Sequence, residues 1–387
     1  MNNKFLLAGI NCSQGGCKLH PDERQILNTR SRTFIGGIVL LAILFMASTG
    51  CVIDDPGDVS TLTPNIDTAV SEDWYTIYFT DPESPNARTY RGGPDAALAE
   101  AIDRARLSVD VAIYDINLWS LRDALVDAHQ RGVSVRVVTE SDNLDRSEIQ
   151  ELAEAGIPVL GDRREGRMHN KFVIIDRQQV WSGSMNFTVS EAYKNNNNLM
   201  RVHSSRLAEN YLAEFEEMFV EDRFGPGSPS DTPHPVISID GTQVEVYFSP
   251  DDGTAARLVE LISEADESVY FMAYSFTSDD IAAAMLERIQ AGVTVAGVFD
   301  ASQYRSNTGT EFDHLLSGGA IVRLDGNPDK MHHKVIIIDD EVLVSGSYNL
   351  SASAEEHNDE NTIIFHNVHI AAHYLEEFEK IFLQAQK

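Results

Sequence analysis

The sequence predicts a duplicated α/β protein, in which two copies of one domain each build a mixed, largely parallel sheet flanked by helices. Three observations carry this. The chain has 387 residues, 43% of them hydrophobic, enough for about two to three domains with cores of their own. Its second half repeats its first: SVDVAIY at 108–114 returns as SVYFMAY at 268–274, and GVSV at 132–135 as GVTV at 292–295, both 160 residues later. Residues 168–188 (MHNKFVIIDRQQVWSGSMNFT) return 163 residues later as MHHKVIIIDDEVLVSGSYNLS, with ten of 21 positions identical. A period this long is a domain duplication, not a solenoid. Within each copy, strand-like and helix-like patterns alternate, as they do in sheets covered by helices.

From the N-terminus, residues 34–49 form a 16-residue apolar run preceded by Arg30 and Arg32 and followed by Gly50-Cys51. A spanning helix needs about 20 apolar residues, so the run suits a signal-peptide core better than a stable anchor. Ser48-Thr49-Gly50-Cys51 resembles a bacterial lipoprotein cleavage box. That resemblance implies a signal peptide over 1–50, acylation of Cys51, and a mature protein outside the cytoplasm, in the cell envelope or secreted. Residues 51–73 are polar, acidic and contain Pro and Gly, so a flexible tether is expected there.

The first copy, residues 74–223, should then run in order through seven elements. These are a strand at 75–79, an amphipathic helix at 95–106, a strand at 108–114, a helix at 118–131 closed by Gly132, a strand at 133–139, a buried strand at 171–176, and a closing helix at 207–219. Residues 224–241 open with FGPGSPSDTPHP, whose four prolines and two glycines mark a linker. Residues 242–387 form the second copy.

Composition excludes several functions. Thirty basic residues against sixty acidic ones give a formal charge of −30. Phosphate is repelled over most of such a surface, so a general nucleic-acid coat is excluded. Cys12, Cys17 and Cys51 are the only cysteines, which rules out a disulfide framework in the body.

Each copy contains His-x-Lys-x4-Asp: His169, Lys171 and Asp176, then His332, Lys334 and Asp339. These six are the candidate catalytic residues. Gly-Ser-x-Asn follows at fixed distance, giving Ser184, Asn186, Ser347 and Asn349 as candidates to hold a substrate phosphate. Alternation along a strand puts each His and its Lys on one face. If the copies pack about a pseudo-twofold axis, both pairs converge on one pocket. Two ammonium groups, hydroxyls and amides around a point suit a phosphodiester, with one imidazole attacking phosphorus and the other protonating the leaving alkoxide. The lysines supply the charge, so no metal is required. Asp176 and Asp339 end apolar strands, where holding a turn is the better use of a carboxylate than proton transfer. His333 should face away from His332. His357, His366, His369 and His373 cross from a loop through a strand into a helix, a poor spacing for a metal site.

The two motifs are similar to those of the phospholipase D superfamily, and the similarity covers about residues 74–387. It implies a phospholipase D-like α/β sandwich in each copy and an active site at their interface. A covalent phosphohistidine intermediate is implied, with His169 as nucleophile, His332 as general acid and no cofactor. It further implies a downstream carboxylate that orients a histidine. Glu360, 28 residues after His332, fits that role, whereas Asn197 stands at the matching place after His169, leaving Glu191 as a substitute.

Such a resemblance leaves the substrate open. A lipid-anchored location and an acidic surface favour phospholipid head groups at a membrane, hydrolysed or exchanged. Arg163, Arg164, Arg167 and Arg177 near the first motif keep nucleic acid, and a metal-independent endonuclease, as the alternative. No obligate protein partner is evident, and a monomer is expected.

Overall fold

The computed structural model describes residues 69–385; the expected signal peptide, Cys51 and most of the tether lie outside the described residues. Each copy contributes one eight-stranded sheet. The first contains β1 (Ala69–Ser71), β2 (Tyr75–Phe79), β3 (Ser108–Ile113), β4 (Ser134–Thr139), β5 (Val159–Gly161), β6 (Lys171–Ile175), β7 (Gln179–Gly183) and β8 (Asn198–His203), in the order β1-β2-β8-β7-β6-β3-β4-β5. The second contains β9 (Val236–Ile239), β10 (Thr242–Ser249), β11 (Ser268–Ala273), β12 (Thr294–Phe299), β13 (Ile321–Leu324), β14 (Lys334–Ile338), β15 (Val342–Gly346) and β16 (Glu360–His366). Its order, β13-β12-β11-β14-β15-β16-β10-β9, repeats the first strand for strand.

The sheets are mixed, but they are not largely parallel. Only β3-β4-β5 and β11-β12-β13 pair in parallel; the other neighbours are antiparallel. The reason is the short turns after β6 and β14: residues 176–178 and 339–341 are too few for a crossover, so a hairpin is the available connection. The central strands are apolar on both faces because both faces are covered, and β3, β6 and β14 are buried throughout.

Helices α1 (Pro94–Asp103), α2 (Trp119–Gln130) and α3 (Ser147–Glu154) cover the outer face of the first sheet. Short α4 (Val189–Tyr193) precedes β8, and α5 (Ser205–Phe219) closes the copy. In the second copy α6 (Thr254–Ser263) and α7 (Asp279–Ala291) are outer helices, α8 (Ala301–Ser306) and α9 (Phe312–Ser317) follow β12, α10 (Ala352–Glu356) precedes β16, and α11 (Val368–Gln384) ends the fold. Capping fixes several ends. Pro94 opens α1, Ser204 Oγ accepts from Leu207 N at the start of α5, and Gly292 closes α7 at φ 96°.

Tyr211, Phe215 and Met218 of α5 and Tyr374, Phe378 and Ile381 of α11 meet the inner faces of both sheets in one shared core. The copies are thus packed face to face through their closing helices, and the strand ends carrying the motifs are held together. Two boundaries differ from expectation. Ala69–Ser71, assigned to the tether, pairs with β2, and Val236–Ile239, assigned to the linker, pairs with β10. Both are edge strands that continue an alternating pattern across a tight turn.

Candidate active site

The two motifs meet because their approach segments pair across the copies. Met168 bridges Asp359, and His169 N donates to Asp359 O at 3.0 Å; Met331 bridges Asn196, and His332 N donates to Asn196 O at 2.9 Å. Each histidine lies just before its strand, and each lysine is the first strand residue. Lys171 Nζ donates to His169 O (2.7 Å) and Lys334 Nζ to His332 O (2.9 Å), folding each ammonium back beside its histidine. All four side chains are buried.

The histidines are anchored by the opposite copy. His169 Nδ1 stands 2.8 Å from both oxygens of Glu360, a residue wholly buried at the start of β16. His332 Nδ1 lies 3.0 Å from Asn197 Oδ1 and 3.1 Å from Glu191 Oε2. Glu360 therefore belongs with His169, not with the histidine of its own motif. It is His332 that meets the asparagine, and Glu191 of α4 restores a carboxylate there. The exchange follows from packing the copies about a pseudo-twofold axis.

Burial sets the protonation states. It pushes His169 down to about 4 and His332 to about 3, with Glu360 and Glu191 opposing the shift and the lysines reinforcing it. Both rings are neutral in the free protein at neutral pH. Burial likewise lowers Lys171 to about 7 and Lys334 to about 8 against the pull of the two glutamates. Burial raises Glu191, but the contacts with His332, Asn197 and Asn195 outweigh it and hold this carboxyl below its usual range. Lys334 Nζ is 3.3 Å from His332 Nε2, whereas no hydrogen bond from a described residue occupies His169 Nε2.

Four expected site residues are engaged in bonds within the protein. Asp176 accepts from the backbone N–H of Arg106, Leu107 and Ser108, and Asp339 from those of Asp266, Glu267 and Ser268. Each sits at the far end of its strand, in a left-handed turn (φ 53° and 51°), so neither is a catalytic group. Ser184 and Ser347 are wholly buried. Ser184 Oγ donates to Asn197 Oδ1 (2.9 Å) and accepts from Asn198 N (3.1 Å), while Ser347 Oγ accepts from Asn361 N (2.9 Å). Their hydroxyls build the strand starts that carry Asn197 and Glu360. Asn186 Nδ2 donates weakly to Glu191 at 3.4 Å, and the Oδ1 atoms of Asn186 and Asn349 are buried without a partner among the described residues.

His333 bonds to Asn198 Nδ2 at 3.0 Å, inside the shared core and away from His332. Of the four arginines, Arg163 pairs with Asp222 and Arg164 with Asp359, and Arg177 lies in the turn beyond β6. Arg167, two residues before His169, is exposed.

Sequence reasoning missed Tyr114 and Tyr274. Their rings stand edge-on to His169 and His332 at 5.0 and 4.4 Å, with Lys171 and Lys334 at 5.4 and 4.9 Å from the ring centres. The signal was the tyrosine that ends SVDVAIY and SVYFMAY alike.

The family described as "Cardiolipin synthase, PLD-like domain" matches residues 98–219 and 258–382, one match in each copy. A phospholipase D of Rickettsia felis is 38% identical over 117 residues, 30% of this chain and 58% of that protein. The human mitochondrial cardiolipin hydrolase is 36% identical over 131 residues, 33% of this chain and 51% of that one. The aligned part thus spans little more than half the length of these relatives. The solved phosphatidylserine synthase of Haemophilus influenzae Rd KW20 aligns over 82% of this chain and 88% of its own, with a TM-score of 0.63 at 13% identity, which shows a common fold. The matched segments contain both His/Lys pairs, their partner carboxylates and both tyrosines, so the chain belongs to the phospholipase D superfamily, with a PLD-like domain in each copy.

Proposed function

We propose that this protein cleaves phosphatidyl head groups through a phosphohistidine at His169. One observation carries the reading: two neutral imidazoles face one site with their Nδ1 atoms held by carboxylates, and only His169 keeps its Nε2 lone pair unoccupied. That lone pair attacks phosphorus while Glu360 holds the Nδ1 proton and stabilises the positive ring that forms. Lys171 and Lys334 neutralise the nonbridging oxygens of the pentavalent state. A bound phosphodiester anion raises the proton affinity of His332, whose Nε2 takes up a proton from solvent as substrate binds and gives it to the departing alkoxide as the P–O bond breaks. Neutral His332 then takes a proton from water. The water oxygen bonds to phosphorus, and the P–N bond breaks to release His169.

The names of the relatives support a lipid substrate. Nucleic acid is the competing reading; two of the four arginines near the first motif are already paired with carboxylates, which weakens it. Cys51 as a lipid anchor would hold the enzyme at its substrate outside the cytoplasm, and loss of fatty-acid labelling in Cys51→Ser would support that placement.

The test incubates the protein with phosphatidylcholine/phosphatidylethanolamine vesicles and, separately, with single- and double-stranded DNA, all in EDTA, with His332→Ala as blank. Phosphatidic acid release without DNA cleavage is expected. DNA cleavage with inert vesicles would replace the lipid reading by the nuclease one.

A further inference from the structure

In the second copy a buried carboxylate ties a strand to the helix outside it. Glu245 of β10 accepts Arg257 Nε at 2.9 Å on one oxygen and Arg257 Nη2 at 2.8 Å on the other. The Tyr247 hydroxyl donates to it at 2.9 Å, and His366 Nε2 stands 2.6 Å away. The same corner of the first copy is built from other residues. Strands and helices correspond between the copies, so Thr76 takes the place of Glu245, Tyr78 that of Tyr247, Ala97 that of Arg257 and Arg201 that of Ile364. The carboxylate is gone, while an arginine is kept: it has moved from the helix to β8, directly across from Thr76.

A cavity of about 140 Å³ lies there, between α1 and the strands β2, β7 and β8, with Tyr78, Gln179, Trp181 and Arg201 in its wall. The Tyr78 and Trp181 rings stack at 5.6 Å and 14°. Trp181 Nε1 and Arg201 Nε are buried without an acceptor among the described residues. The two carboxylates at the rim are already engaged: Glu100 pairs with Arg104, and Asp176 accepts from three backbone N–H groups. In a chain with sixty acidic side chains against thirty basic ones, a half-buried guanidinium still lacks a carboxylate. Such a charge is costly to leave uncompensated, and the guanidinium fork matches two oxygens in one plane.

We propose that this cavity is a binding site for a small carboxylate, whose two oxygens take in the first copy the place that the Glu245 side chain takes in the second. Arg201 holds the oxygens, the Trp181 indole N–H adds a donor, and the short apolar tail lies against Tyr78 and Ala97. The volume admits a ligand of acetate size and no phospholipid head group or nucleotide. The cavity adjoins Asp176, at the end of β6 away from His169, so the site is separate from the active site and does not depend on the reaction proposed there.

The test titrates sodium acetate, and sodium chloride at the same ionic strength, into the full chain with ¹⁵N-labelled tryptophan. Trp74, Trp119 and Trp181 are its three tryptophans, and Trp181→Phe identifies the indole resonance of interest. That resonance should shift saturably with acetate alone, while the other two stay in place. Arg201→Gln should weaken the response by about ten- to a hundredfold, the size of one charge-assisted hydrogen bond. Thr76→Glu, which supplies the carboxylate from the protein, should abolish the response and raise Tm in the absence of acetate. A shift that never saturates or is equal in chloride overturns the proposal, as does a response unchanged in Arg201→Gln. A folded Thr76→Glu protein that still binds acetate overturns it too. Saturation by sulfate and not by acetate would give the cavity to a tetrahedral anion and overturn the carboxylate assignment.

Discussion

At the scale of single residues, the two histidines differ in how their Nδ1 protons are held. Among the described residues Glu360 is the sole acidic anchor of His169, whereas His332 has both Glu191 and the neutral Oδ1 of Asn197. Glu360→Gln should therefore lower kcat by about 10²- to 10⁴-fold, because an amide can favour the wrong tautomer and cannot stabilise the charged ring. Glu191→Gln should cost about tenfold less, since Asn197 still accepts the proton. Equal losses in single-turnover assays would refute this division. The lysines set the pH profile. Their ammonium forms are needed to bind the diester, and burial brings Lys171 to about 7 and Lys334 to about 8, so kcat/KM should fall as pH rises through that range. The acid limb should lie near 4, where His169 gains a proton and loses its lone pair. A profile still climbing at pH 9 would contradict the requirement for charged lysines. The His-x-Lys pairs and Glu360 were legible in the sequence. The crossing of carboxylates was not, because spacing along a chain does not say which copy of a duplication will face which.

At the scale of elements, the aspartate of each motif is a strand-end device. Asp176 ties three backbone N–H groups at the entry to β3, and Asp339 does the same for β11, so each pins the hairpin after its lysine strand to the neighbouring central strand. Asp176→Ala should lower stability by about 1–3 kcal/mol, since the lost bonds are charge-assisted but partly exposed. Its kcat should stay within a few-fold of wild type. A loss of kcat comparable to that of Lys171→Ala, with unchanged Tm, would return the aspartate to the chemistry. The central strands were readable from unbroken apolar runs such as FVII and VIII. Others were not: β8 starts inside the polar run Asn195–Asn198, which composition assigns to a turn, and it is paired because Ser184 and Thr80 satisfy that run from both sides. The β9–β10 hairpin could have been found. Its Asp240-Gly241 turn, at φ 47° and 80°, lies between two alternating apolar segments, a strong hairpin signal that the preceding prolines obscured.

At the scale of the whole molecule, the charge of −30 was plain from composition, but not where folding would concentrate it. Glu214 and Glu217 of α5, Asp251 after β10 and Asp359 before β16 gather where the two copies meet. Burial, reinforced for the first three by mutual repulsion, raises Glu217 and Asp251 to about 7, Asp359 to about 6 despite Arg164, and Glu214 well above its usual value. Each folded value exceeds the unfolded one of about 4, so the native state binds more protons. The resulting stability is complete below about pH 4 and is lost as pH rises through 6 to 7. At the acid end Glu191 and Glu245, both held below the usual carboxylate range despite burial, oppose this and lose their contribution as they protonate. Thermal stability should therefore peak at mildly acidic pH, with Tm several degrees higher at about pH 5.5 than at pH 8. Salt should raise Tm more at pH 8 than at pH 5.5, because screening acts on the larger net charge. Glu214→Gln, which keeps an acceptor for Asn170, should flatten the dependence by raising Tm at pH 8 alone. A Tm that is constant or rises between pH 5.5 and 8 would show that these carboxylates ionise without cost and that the seam between the copies is wetter than its packing implies.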